Sequence, residues 1–258
     1  YRYNAWRKGD FTLFNLQRIA GKLEALEETI IHKLIDRAQY LVNERAYQPG
    51  LSGFLGEDEK CLLRVRLLHQ EEMDAHFGRF CDPVERPFND KLPSPQRQVL
   101  MPESGLRIDD YEQVNLTKEI FSAYLRLVPL ICAQGDDNQY GSSTEHDVYA
   151  LQAIARRIHY GAFFVGESKF RAAPEVLTAL IEEGNKEKIL AAITRQGVER
   201  AILERVAEKV AYIQAKVNRD LRHVIDPDFV LTFYRDVIIP LTKDGQVLYL
   251  LHRHLKEA

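Results

Sequence analysis

The sequence predicts an all-α protein built of long helices, and three observations carry that expectation. Apolar residues recur at alternating steps of three and four over several long stretches, the pattern of one buried helix face. No stretch sustains the period-two alternation of a strand, and no hairpin signal appears. Five of the ten prolines crowd between residues 83 and 102, so the chain breaks in one irregular connector. Several stripes are wide enough to pack on both neighbours and on a second subunit, so a homodimer is expected.

In chain order, residues 10–44 read as one helix. Asp10 or Thr12 can cap it, and Leu16, Ile19, Leu23, Leu26, Ile30, Leu34 and Ala38 form its stripe. A second helix over about 57–80 carries Leu62, Leu63, Val65, Leu67 and Leu68 and ends in Gly78-Arg79-Phe80. The connector 82–107 is long for a loop in a compact fold and should pack over something. A third helix spans about 113–134 and breaks at Gly135. The next runs from Ser142 to about Phe170, with Val148, Leu151, Ala155 and Ile158 on one face. Pro174 starts a short helix that ends before Gly184, Lys186–Thr194 forms another, and a stripe from Val198 to Val217 marks a longer one. Asp226-Pro227, a capping acid with proline in the first turn, starts the last helix, which runs to about 255 with a kink at Pro240.

Composition narrows the function classes. An apolar fraction of 45% and a charged fraction of 28% are ordinary for a water-soluble fold. A net charge of −3 gives no electrostatic footprint for nucleic acid, and no apolar run approaches the roughly 18 residues of a membrane helix. Cys61, Cys81 and Cys132 are odd in number and lack metal-ligand spacing, so they read as thiols in a reducing compartment; the cytoplasm is the default, with a plastid or secreted origin as the alternatives.

The candidate chemistry centres on Ala155 to Phe170. Arg156, Arg157 and Lys169 sit on a segment otherwise apolar enough to be interior, and buried cations need anionic partners. On the residues alone a structural carboxylate is the favoured partner, with a bound anion the alternative. No serine elbow, Cys–His pair, metal-spaced cluster or phosphate loop appears. His146, His159, His223 and His252 are isolated and read as surface or satisfied core residues.

Three blocks in order give these residues a context. The first is Asn15-Leu16-Gln17-Arg18-Ile19 running into Leu26-Glu27-Glu28-Thr29-Ile30-Ile31 and Asp36-Arg37-Ala38-Gln39-Tyr40. The second is Gly141-Ser142, Asp147, Leu151-Gln152, Arg156-Arg157-Ile158-His159-Tyr160-Gly161 and Glu167-x-Lys169-Phe170. The third is Ile239-Pro240-Leu241-Thr242-Lys243 and Val247-x-Tyr249-Leu250-Leu251. Together they resemble the all-helical chorismate mutases of fungi and plants. The resemblance implies a single helical domain over residues 1–258, a homodimer, and an enzyme that isomerises chorismate to prephenate in aromatic amino acid biosynthesis. It implies no metal or organic cofactor, because the reaction is an intramolecular pericyclic rearrangement without proton transfer. It also implies the site. Arg157 is a carboxylate clamp, Lys169 is shared by a carboxylate and the ether oxygen, Glu199 accepts from the ring hydroxyl, and Thr242 and Gln246 share a helix face with Gln246 donating to the ether oxygen. A glutamine donates at any pH, so the rate should not require acid.

Three departures qualify the resemblance. Ala20, followed by Gly21, stands where the family has a carboxylate-binding arginine; Arg195, before Val198-Glu199, could replace it from another helix. The segment from Gly161 to Lys169 is one residue longer than the family's, which on an ideal helix turns Lys169 by about 100°; a single π-bulge near Phe163–Gly166 would restore its facing. Gly141 and Ser142 at a helix start, with Arg79, resemble an amino-acid effector site, yet Glu145 lies where a neutral residue is expected and Gly78 offers no second cation. Two rivals follow: a divergent member with a different pericyclic substrate, and a non-catalytic homologue serving as a binding protein.

Overall fold

The computed structural model describes residues 14–255, and among them there are ten α-helices and no strand. The all-α expectation is met. Helix α1 (Leu16–Arg37) is capped by Asn15, whose side chain accepts from the backbone N–H of Gln17 and Arg18; Asp10 and Thr12, the expected caps, lie outside the described residues. It stops short of residue 44 because the Arg37 side chain folds over the next turn and donates to the carbonyls of Tyr40, Leu41 and Val42. Asn43 then takes a left-handed φ of 56°.

Helix α2 (Leu62–His76) is shorter at both ends than expected: a turn closes from Lys60 N to Glu57 O, and Gly78 at φ 82° redirects the chain. The connector does pack over something. Buried Glu71 on α2 accepts from Phe88 N (2.8 Å), Asn89 N (3.0 Å) and Asn89 Nδ2 (2.6 Å), pinning the loop. Burial pushes its carboxyl up to about 7 against the pull of those donors. A cavity of about 600 Å³ lies beneath, between the connector and α3 (Thr117–Ile131).

Helix α4 (Tyr140–Tyr160) passes through a π-turn at Gly161–Val165 directly into α5 (Gly166–Ala172). The surplus residue is absorbed as expected, slightly earlier than Phe163–Gly166. Then follow α6 (Pro174–Glu183), α7 (Lys186–Ile193), α8 (Gln196–Gln214) and α9 (Pro227–Phe233). Gly184 ends α6 at φ 68°, and the Asp226 carboxylate caps α9 through Asp228 N. A second π-turn, Tyr234–Ile238, leads into α10 (Ile239–His252). The expected kink at Pro240 is thus a π-turn just ahead of it, which leaves the proline in the first turn of α10, where its missing N–H costs least.

Helices α1 and α4 pack along each other, and Val148, Leu151, Ala155 and Ile158 are all buried as their spacing required. Buried Asp147 on α4 locks the pair, accepting from Arg37, Tyr47 and Tyr124. Buried Glu167 does the same at the far end, between Tyr249, Arg253 and Arg171. His159 is a satisfied core residue: its Nε2 accepts from Leu116 N, Nδ1 faces Ala155 O, and burial pushes it down to about 3.

Candidate active site

A cavity of about 490 Å³ opens between α1, α4, α5, α8 and α10. Arg157, Lys169, Arg195, Glu199, Thr242 and Gln246 all line it. The six residues therefore converge from four helices and a helix cap. Ala20 also faces the cavity, on a wall that α1 builds from Leu16, Ile19, Ala20 and Leu23.

Close helix approach sets the geometry. A Cβ on Gly161 would meet Thr242 Cγ2 at 2.5 Å, and one on Gly245 would meet Ala162 Cβ at 2.6 Å. The π-turn and α10 can touch this way because each contact has a glycine on one side. The contact places Arg157 Nη1 3.0 Å from Thr242 Oγ1, which accepts from it and donates to Ile238 O. One turn further along, Lys169 Nζ donates to Gln246 Oε1 (2.8 Å) and Ile193 O (2.6 Å). Lysine is only a donor, so it holds the Gln246 oxygen and leaves the amide NH₂ to face away. The extra residue has not cost Lys169 its place.

The electrostatics are lopsided. Arg157 is buried, yet no carboxylate lies within 4 Å of it among the described residues, and its Nε has no protein acceptor. Burial pulls its guanidinium below the usual value. The nearby hydroxyl of buried Tyr234 is likewise without a partner. The structural carboxylate expected for the buried cations exists only for Arg156, which is half exposed and pairs with Glu85 at 2.9 Å. Burial first, then the neighbouring Arg195 guanidinium, bring Lys169 down from 10.5 to about 8, with Glu199 opposing and Lys243 adding. Glu199 is engaged by Lys243 at 2.9 Å. Four cations thus share one acid in a mostly apolar cavity. Such an arrangement has the charge to hold a small organic anion.

Lys243 is the lining residue that sequence reasoning missed. It follows Thr242 by one, which points it away from the Thr242–Gln246 face, but its spacing of three from Gln246 was a usable signal.

The effector candidates do not converge within one chain. Gly141 and Ser142 sit in the first turn of α4. Arg79 spends its fork on Asp74 (2.8 Å), Glu85 (2.9 Å) and Gln152 (2.7 Å). Gln152 is about 15 Å along α4 from Ser142, at 1.5 Å per residue. Glu145, the unexpected acid, pairs with Arg66 at 3.2 Å.

Among the described residues, no group of three or more His, Cys, Asp or Glu could hold a metal, and no helix is long and apolar enough to cross a membrane. All three cysteines are free.

No family model matches the sequence. Individual proteins do. The chain is 36% identical over 250 residues to the chorismate mutase of Schizosaccharomyces pombe, covering 93% of this chain and 96% of that protein. It is 35% identical over 254 residues to the chloroplastic chorismate mutase 1 of Petunia hybrida, covering 93% and 76%. Its fold superposes on the crystal structure of a Candida albicans chorismate mutase in complex with L-Trp at a TM-score of 0.87 and 31% identity, over 94% and 93% of the two chains. With these identities spread over nearly its whole length, the chain belongs to the chorismate mutase family of fungi and plants.

Proposed function

We propose that this member of the family is an isomerase that rearranges chorismate to prephenate in the cavity between α4, α5, α8 and α10. The single observation that carries the reading is Arg157, a buried guanidinium without a carboxylate, facing a cavity rich in cations. A pericyclic rearrangement asks the protein to hold a flexible dianion in its folded conformer and to steady charge on the breaking ether oxygen. Arg157, held by Thr242, clamps one carboxylate. Lys169 reaches a carboxylate and the ether oxygen, and the Gln246 NH₂ donates to that oxygen. Glu199, oriented by Lys243, accepts from the ring hydroxyl. The test is loss of chorismate absorbance with purified protein. Prephenate should form, and Arg157→Ala should slow it about a hundredfold or more. No turnover by folded protein would overturn the reading.

A second reading, a different pericyclic substrate, draws on the carbon-only wall of α1; a screen of other enol-ether acids separates the two. A homodimer is proposed from the exposed face of α2, where His69, Met73 and Phe77 fall at successive steps of four and Phe54 lies against His69. An amino-acid effector at Gly141 and Ser142 is proposed from the L-Trp complex of the Candida relative; Arg79 would reach that ligand only from a second copy. The cytoplasm is the proposed compartment, and the Petunia relative makes a plastid the alternative for localisation to exclude.

A further inference from the structure

We propose that Arg195 is the second carboxylate clamp of this cavity and so the residue that selects a dianion over a monoanion. The inference rests on the function proposed above and deepens it. A dianion needs two cationic ends, and Arg157 provides one. The α1 wall of Leu16, Ile19, Ala20 and Leu23 offers only carbon. Lys243 already has Glu199. Lys169 is tied to Gln246 and Ile193 O, which fixes it but leaves its charge unmatched.

Arg195 is placed where helix stability would not put it. It occupies the N-cap of α8 and makes no side-chain cap hydrogen bond. A guanidinium cannot accept from the first-turn N–H groups, and its positive charge faces the positive end of the helix dipole. Its Nη1 donates to the carbonyls of Ala192 (3.0 Å) and Thr194 (3.2 Å), which anchors the side chain at the cavity rim. Those bonds leave Nη2 and Nε for a ligand, and no carboxylate lies within 4 Å of the group among the described residues. Arg195 is also the strongest charged neighbour of Lys169. Two cations held together at a cavity wall, one of them at a helix N-terminus, repel until an anion joins them. A carboxylate between Arg195 and Lys169 would receive the guanidinium fork on one side and the ammonium on the other.

The test uses Arg195→Ser, since serine is a good N-cap. The variant should melt a few degrees higher, so lost folding could not explain lost function. Its KM for chorismate should rise about ten- to a hundredfold with a smaller change in kcat. The wild type should strongly prefer chorismate over chorismate with one carboxylate masked as a methyl ester, and Arg195→Ser should lose most of that preference. Adding Ala20→Arg to Arg195→Ser should recover it, because the new guanidinium faces the same cavity from α1. An unchanged KM in Arg195→Ser, or a diacid preference unaltered by the substitution, would overturn the inference. Wild-type turnover is read separately: its absence would sink the proposed function, whereas a normal wild type with an indifferent Arg195→Ser sinks this inference alone.

Discussion

Lys169 Nζ reaches Gln246 Oε1 at 2.8 Å across two helices, twelve residues on from Arg157 rather than at the eleven-residue spacing expected from the family. On an unbroken α-helix those twelve steps would place it about 120° from the Arg157 face, against about 20° for eleven. The π-turn at Gly161–Val165 removes the error.

Deleting Phe164 should therefore convert the π-turn to ordinary helix and keep Lys169 in the cavity. Turnover should stay within about tenfold of wild type, since the facing changes by only about 20° relative to Arg157. Inserting an alanine after Phe164 should instead turn Lys169 out and lower kcat about a hundredfold. Steady-state kinetics of the two variants, with helicity checked by circular dichroism, distinguishes them. Equal losses would mean that the turn does not set the register.

The pH profile should fall on the alkaline side. Lys169 must be protonated to hold an anion, and burial and Arg195 bring it to about 8, so kcat/KM should decline as pH rises through about 8. Stability should move the other way. The folded state binds this proton less tightly than the unfolded chain, whose lysine titrates near 10.5, so this residue's contribution to stability grows between about pH 8 and 10.5. Kinetics and chemical denaturation across pH 7–10 give both slopes. A kcat/KM that is flat to pH 10 would remove Lys169 from the site.

Gln246→Glu should make the rate depend on acid. The carboxylate would pair with Lys169 and donates only when protonated, so turnover should climb as pH falls toward the carboxyl range near 4. The wild type should show no such rise.

Gly161→Ala should damage binding through packing. Its Cβ would fall 2.5 Å from Thr242 Cγ2, so Thr242, which holds Arg157, would have to shift. A loss of about 1–3 kcal/mol in stability is expected, with a raised KM. An unaffected KM would show that Arg157 tolerates movement of its support.

Asp147→Ala offers the opposite signature. Breaking a buried pair costs about 3–5 kcal/mol, and Asp147 joins Arg37, Tyr47 and Tyr124 away from the cavity lining. Stability should drop by that order while the KM of the folded fraction stays near wild type.

Much of this was legible in the sequence because it is local. Val148, Leu151, Ala155 and Ile158 announce their face by spacing; Pro174, Gly184 and Asp226-Pro227 announce helix ends by backbone chemistry. Counting residues between Arg157 and Lys169 against the spacing of the family it resembles was enough to expect the π-turn. What stayed hidden depends on contacts between distant segments. Arg37 reads as an interior residue of a helix over 10–44, and only the fold brings Asp147 to it and ends α1 early. The convergence of Lys243 and Glu199 from α10 and α8 is likewise tertiary.

The unpartnered Arg157 Nε and Tyr234 hydroxyl have a thermodynamic consequence. Each is a buried polar group with no hydrogen-bond partner in the protein, a placement that costs free energy until a partner reaches it. A ligand that engages this guanidinium binds the folded chain and not the unfolded one, and raises stability by RT ln(1 + [L]/Kd). On the proposed function, substrate and product add to what holds the helices together, and the melting temperature should rise with their concentration.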